Sequence, residues 1–526
     1  MAELLANPSY SSGIGTVYTC TRNFYVDSVN GKDTNSGTET SPWQTINAAD
    51  TVARTGGDCI NVAPGTYLTS GILLQHGGST AAANGYVVYR CQTLDGCHVL
   101  YNGSNGGHLW QFQGSNYVVV DGFEIDGNDQ TVYGGAADTC LLSVQMNPWW
   151  VTSHHIWMLN NKIHSCNLGG IGFQSTEYIF ALHNEVYNNS WTSGYQGSGI
   201  GLVVMQPLGA AAMGETYNAN PYPVYTPTTQ DIRFAPFHII VGWNIVRENG
   251  CTTCLGSKTV LTTSGNTHSN TTLDGLASTQ GLAASQLVVG PGISPLTYIS
   301  AISGNSITLS RPTNQTVTGG SYQFMSLTNG HTDGNGIIYD TWDGGVGGNA
   351  KTYPYQSLII GNVSHHNGGR GIHVFATDNV TITNNSTYNN GLDLNDGSYF
   401  FAELSQAGGQ NNVWINNIAQ AVLTQVNPDP SCSYCGGRNS PLVAGDGRGV
   451  TDTNNIYLHN VLFGGFGVQL FNNDVTAFSA SDNLASNPLF KNPAAGDLTL
   501  QLASPAVGYS ISKPYVPAAL QNAGAY

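Results

Sequence analysis

Charge is what this sequence lacks. Only 9% of its 526 residues are Asp, Glu, Lys or Arg, against roughly 25% in an ordinary soluble chain. Cations are scarcest, with 15 Lys and Arg against 31 Asp and Glu, for a formal net charge of −16. Basic patches are absent, which argues against nucleic acid and anionic membranes as partners. No apolar run approaches the roughly 18 residues of a membrane span. The opening MAELLANPSYSSG has no basic start followed by an apolar core, so no signal peptide is visible in it. The repeating parts of the chain also lack the 10–12-residue periodic stretches that a helix needs.

Glycine, by contrast, is abundant at 66 residues, and Asn, Ser and Thr are frequent. A 40% hydrophobic share supports a long core. This mixture suits many short strands joined by turns, with amides and hydroxyls replacing surface charge. An irregular repeat underlies it: NKIHSCN from Asn161, NEVYNNS from Asn184, NIVRENG from Asn244, NVSHHNG from Asn362 and NSTYNNG from Asn385. NIAQAVL from Asn417 and NVLFGGF from Asn460 are weaker copies. Five positions after the leading Asn stand Cys166, Asn189, Asn249, Asn367 and Asn390. Each copy carries short β-like runs such as YIFAL, HIIVG and NVTIT, so the unit is a coil of strands and the whole a solenoid. Stacked coils place equivalent residues about 4.8 Å apart, and a column of Asn can then hydrogen-bond along the stack.

With these features the chain resembles the right-handed parallel β-helix of the pectin-lyase-like superfamily. The stretch from Tyr25 to Tyr67 is similar to the N-terminal rungs of such proteins, with WQTINAADTVA as a short capping helix. NPLFKNPAAGDLTLQLASPAVG is similar to their last rung. The resemblance implies an all-β parallel β-helix and a carbohydrate-active protein. The expected layout is 20–250 as the first part of the β-helix, 251–330 as an inserted β-rich module, and 331–510 as the second part.

The ten Cys are even in number. Cys91 and Cys97, in CQTLDGC, read as a short disulfide clasp. The CxxC pairs Cys251/Cys254 and Cys432/Cys435 suit local disulfides of a secreted or cell-surface protein better than a zinc site, because they lie far apart in Gly/Ser-rich loops.

The stretch HTDGNGIIYDTW follows the insertion. Aligned on the repeat, Ile337–Asp340 stacks on Ile372–Phe375, with Gly170-Ile171-Gly172-Phe173 and Gly199-Ile200-Gly201-Leu202 as earlier copies. Strand side chains alternate, so with Ile337, Tyr339, Ile372 and Val374 inside, Asp340 and His373 face outward. Asp333 precedes the strand, near Arg370 of the next coil, and Glu403 reaches the same column if its strand shifts by one residue. The catalytic candidates are therefore Asp333, Asp340, Arg370, His373 and Glu403. Trp342, Asp343, Tyr353, Tyr355 and His331 are candidates for sugar binding. Asp121, Glu124 and Asp126 form a second acidic group with a Ca²⁺ reading.

Three functions fit. A glycoside hydrolase would use paired carboxylates, one protonating the leaving oxygen and one activating water. HTDG is similar to the Asn-Thr-Asp-Gly of the polygalacturonase family, which implies a catalytic Asp333, although His331 stands where that family has Asn. A polysaccharide lyase would use Arg370 or His373 as base, with Ca²⁺ on Asp333, Asp340 and Asp343. A non-enzymatic glycan-binding surface or fibre protein would use the coil as a stalk. The hydrolase is the favoured expectation. It would act as a monomer on a polysaccharide, with no certain cofactor and Ca²⁺ as the possible one.

Overall fold

The computed structural model describes residues 18–52, 54–103, 107–112, 115–128, 139–144, 153–190, 197–205, 237–250, 259–284, 286–293, 297–325, 333–342, 353–392, 402–422, 439–445, 452–470, 482–511 and 524–525. Three long sheets dominate, of eleven, ten and ten strands. The chain visits them in turn. Glu177–Leu182 lies in the first sheet, Glu185–Tyr187 in the third and Ile200–Val203 in the second, and the next coils repeat this order. Neighbouring strands within all three pair in parallel, as at Ile179↔Ile239 and Val186↔Val246. The molecule is a parallel β-helix.

Alternation turns one apolar face of each sheet into the lumen. Ile179, Val186, Ile200, Ile239, Val246, Ile337, Ile359 and Ile372 belong to one continuous buried core. The leading asparagines close the corner between the first and third sheets. Asn161, Asn184, Asn244, Asn362, Asn385, Asn417, Asn460 and Asn483 form one ladder, each backbone N–H and side-chain Nδ2 donating to the next Oδ1. A second ladder runs from Cys166 through Asn189, Asn249, Asn367 and Asn390. The residue before each ladder Asn from Asn161 to Asn460 takes the left-handed conformation, as at His183, Trp243 and Asn384, to turn the corner within one residue.

Two ends differ from expectation. The helix spans only Ile46–Asp50, not the whole of WQTINAADTVA. Trp43 bridges to Val26 in a β-contact, and Thr45 caps the helix by accepting from the Ala48 N–H at 3.1 Å. Ile46 and Ala49 are its contribution to the core. At the other end Phe490–Asn492 and Asp497–Leu500 form an antiparallel hairpin instead of a last rung. Phe490, Leu498 and Ala506 pack against Val363, Tyr388, Ile418 and Val461.

Between Thr259 and Met325 the chain builds its own six-stranded antiparallel sheet. It encloses a separate core of Leu273, Val288, Ile307, Tyr322 and Phe324. Cys91–Cys97 is a disulfide, and Cys20–Cys59 and Cys140–Cys166 are two more. Cys251, Cys254, Cys432 and Cys435 lie outside the described residues.

The ladder carries a stability test. Asn362 is wholly buried and donates to Val241 O and Asn385 Oδ1 while accepting from Asn244. Asn362→Leu keeps the volume and orphans partners on both neighbouring coils. Each orphaned buried group costs ~1–3 kcal/mol, so the expected loss is at least about 3 kcal/mol in guanidinium unfolding. A loss below about 1 kcal/mol would count against the ladder as the main tie between coils.

Candidate active site

The second sheet carries the outward residues of interest. Its register runs Ile200↔Ile337↔Ile372↔Leu404, as the repeat alignment expects up to Ile372. Ile337, Tyr339, Ile372 and Val374 fill the core. Ile338, His373 and Ser405 therefore share one outward column, and Val203, Asp340 and Phe375 another. Gly201 continues the first column, and a Cβ placed there would meet only Ile338 Cγ2 at 3.6 Å. There is room at Gly201, while Ile338, His373 and Ser405 further along the column are buried.

Asp333 enters on the turn before the strand. Arg370 Nη1 lies 3.7 Å from its Oδ1. Asn335 Nδ2 donates to the same carboxylate at 3.2 Å, and Asn335 Oδ1 accepts from the Arg370 backbone N–H at 2.9 Å. Asn335 is wholly buried, and its Nδ2 also reaches Ser198 Oγ on the preceding coil at 3.4 Å. One amide thus fixes Asp333 against Arg370. The sequence reading missed Asn335; an amide two residues after an acid in a Gly-flanked turn was the available signal.

Asp340 has a different environment. Its Oδ1 is buried without a hydrogen-bond partner among the described residues. Burial, reinforced by the negative Asp333 and opposed by Arg370, pushes its carboxyl up to about 7. Asp333, Asp340 and Arg370 thus act on one another electrostatically. His373, 4% exposed, places Nδ1 3.3 Å from Ser405 O and its ring 5.9 Å from Phe375.

Three candidates have other positions. Glu403 is wholly buried at the corner, where its carboxylate accepts from the Asn390 backbone N–H at 2.9 Å and side-chain Nδ2 at 2.5 Å. It ends the second asparagine ladder. Earlier coils have Gly199, Gly336 and Gly371 at this place, where a Cβ would collide with ladder amides. Burial pushes Glu403 up to about 8. Trp342 and Tyr353 are also wholly buried. The left-handed Thr341 turns Trp342 inward, where it stacks on Tyr339 at 4.6 Å and donates to Leu202 O. Neither ring offers a face to a sugar. Tyr355 is 36% exposed. His331 and Asp343 lie outside the described residues.

The arrangement does not suit Ca²⁺. A guanidinium already stands against Asp333, and the buried Asp340 is biased toward its neutral form. The Asp121 group does not converge either. Asp121 accepts from Tyr18 and Asn160, whereas Glu124 and Asp126 meet His164 and His98 on the third sheet. Among the described residues no group of three His, Cys, Asp or Glu side chains is arranged to hold a metal.

Residues 29–71 match the family model described as "Protein of unknown function (DUF1565)". No curated protein matches the chain. Among solved structures it is similar to pectate lyase Pel9A, at 14% identity over 97% of both chains with a TM-score of 0.43. It is also similar to the GH136 lacto-N-biosidase from Eubacterium ramulus, at 12% identity over 88% of this chain and 68% of that one, TM-score 0.41. The alginate lyase from Paenibacillus sp. str. FPU-7 follows at 11% identity, covering 89% and 100%, with a TM-score of 0.38. No helix among the described residues is long and apolar enough to cross a membrane.

Asp340 gives a test of linkage. A carboxyl raised from 3.8 to about 7 binds its proton more tightly in the fold, so its stability contribution falls as pH rises between those values. Asp340→Asn removes that cost. The variant's stability relative to the parent should climb from pH 4 to pH 7 by on the order of 2–4 kcal/mol, then level off. A pH-independent difference in urea or thermal unfolding would refute the raised carboxyl.

Proposed function

We propose that the protein is an exported glycan-cleaving enzyme, a glycoside hydrolase in which Asp340 is the general acid and Asp333 the ionised partner. The observation that carries this reading is the contrast between two carboxylates of one coil. Asp340 is buried with an unpartnered oxygen and pushed up to about 7. Asp333 is held by Arg370 and Asn335. Two carboxyls whose surroundings drive them apart are the pattern that divides acid from base or nucleophile.

The roles follow from the environments. Asp340 keeps its proton near neutral pH and can give it to a departing glycosidic oxygen. Asp333, in contact with the guanidinium, would activate water or meet the oxocarbenium-like centre. Arg370 also limits the repulsion between the two carboxylates. The disulfides support export, because they persist in oxidising compartments.

The pairing of Arg370 with Asp333 weighs against the lyase alternative. Elimination would then fall to His373 as the base, because arginine does not deprotonate in proteins. A panel of neutral and uronate polysaccharides separates the possibilities. New reducing ends without the ultraviolet absorbance of an unsaturated uronate are expected. Both signals together would establish elimination, and neither would leave a binding or structural protein. Asp340→Asn and Asp333→Asn should each lower kcat/KM by roughly 10²–10⁴-fold. Activity should decline as pH rises above about 7, where Asp340 loses its proton. Cleavage that survives both substitutions would end this assignment.

A further inference from the structure

Five rings stack along the start of the first sheet. Tyr117 stacks on His155 at 4.5 Å, His155 on Tyr178 at 4.2 Å, Tyr178 on His238 at 4.3 Å and His238 on Tyr355 at 3.9 Å. Tyr117, His155 and Tyr178 are buried, whereas Tyr355 at the end is exposed. A register shift between Phe237 and Ile239 accompanies the stacking of Tyr355 on His238. The stack is fixed from beneath. Glu177, 2% exposed, lies 2.7 Å from His238 Nδ1 and accepts from Tyr353 Oη at 3.2 Å. A carboxylate on Nδ1 sets the orientation of the imidazole, and the imidazole sets Tyr355.

The stack ends because the next coils change residue type. At the same turn they carry Asn379, Asn411 and Asn454, all left-handed, with Asn411 and Asn454 exposed. By register Asn379 follows Gln356, so the amide column continues the coil beside the ring, with Asp378 opposite Tyr355 itself. Tyr355 is also close to the acid pair along the chain. The Tyr353 N–H donates to Trp342 O at 2.8 Å, closing the base of the intervening excursion. Asp340 lies two residues before that contact and Tyr355 two after it, which bounds their separation at roughly 19 Å.

We infer that Tyr355, stacked on His238 above Glu177, is a distal subsite for a neutral sugar ring. The ring face would take the apolar side of a pyranose, and the amides would take its hydroxyls. Uronates are disfavoured by the neighbouring Glu177 carboxylate and by the net charge of −16. The inference rests on the glycan-active reading and names its substrate class, but binding tests it apart from cleavage.

The experiment measures affinity of the full chain for neutral hexasaccharides of glucose, xylose, mannose and N-acetylglucosamine, with oligogalacturonate as the charged control. Isothermal titration is the readout for the parent, Tyr355→Ala and Tyr355→Trp, each checked for an unaltered circular dichroism spectrum. At least one neutral hexasaccharide should bind, and Tyr355→Ala should weaken it about tenfold. Tyr355→Trp should restore binding and shift its fluorescence to the blue on saturation. Unchanged affinity in Tyr355→Ala, preference for oligogalacturonate, or no neutral ligand at all would overturn the subsite. Tyr355-dependent binding with no cleavage of any glycan would keep the subsite and remove only the hydrolase assignment.

Discussion

The structure depends on an amide hydrogen bond repeated from coil to coil. Each ladder Asn gives its side-chain N–H to the next Asn and receives two N–H groups from the one before. A corner built this way needs no charge and no water, which suits a chain with 9% charged residues. It also dictates neighbouring residues. The amide occupies the space beside the first residue of each second-sheet strand, so a Cβ on Gly336 would stand 2.8 Å from Asn367 Nδ2 and 2.2 Å from Ser364 Oγ. Where the following coil supplies no ladder Asn, Glu403 takes the place of that glycine and its carboxyl completes the bond.

The same ladder makes the long insertion tolerable. Asn249 precedes it and Asn367 belongs to the coil after it, yet the two are joined at 3.0 and 3.1 Å. The two ends of the excursion meet at Gly250 and Gly334, where a Cβ on Gly250 would stand 2.9 Å from Gly334 Cα. A loop whose ends are pinned by their surroundings adds entropy cost only slowly with length. Asp333, immediately before that pinned glycine, inherits a defined position in spite of the inserted sheet upstream.

The sequence made the coil, the ladders and the register visible because each rests on a local repeat. Asn at a fixed offset and alternating apolar residues suffice to place Asp340 and His373 on one outward face. Side-chain direction at corners was less legible. Trp342 and Tyr353 follow an acid and read as sugar platforms, but the left-handed Thr341 sends Trp342 into the core, and no local pattern announces that conformation. Glu403 shares the problem, because its partner is a ladder residue. Asn335 and the Glu177–His238 pair act across coils far apart in sequence, so only the stacking reveals them.

Scarcity of charge then shapes the chemistry. In a typical surface many ions share the field at a carboxylate, and no single neighbour decides its protonation. Here Asp340 is governed by burial, by Asp333 and by Arg370. Arg370 stands in contact with Asp333, so its effect is strongest on that carboxylate and weaker on Asp340. One cation placed asymmetrically between two acids gives them different surroundings. Asn335 preserves the asymmetry, because it bonds the carboxylate of Asp333 and the backbone of Arg370 with one side chain. The buried amide that stabilises the corners of this fold also, at this turn, holds Asp333 against Arg370.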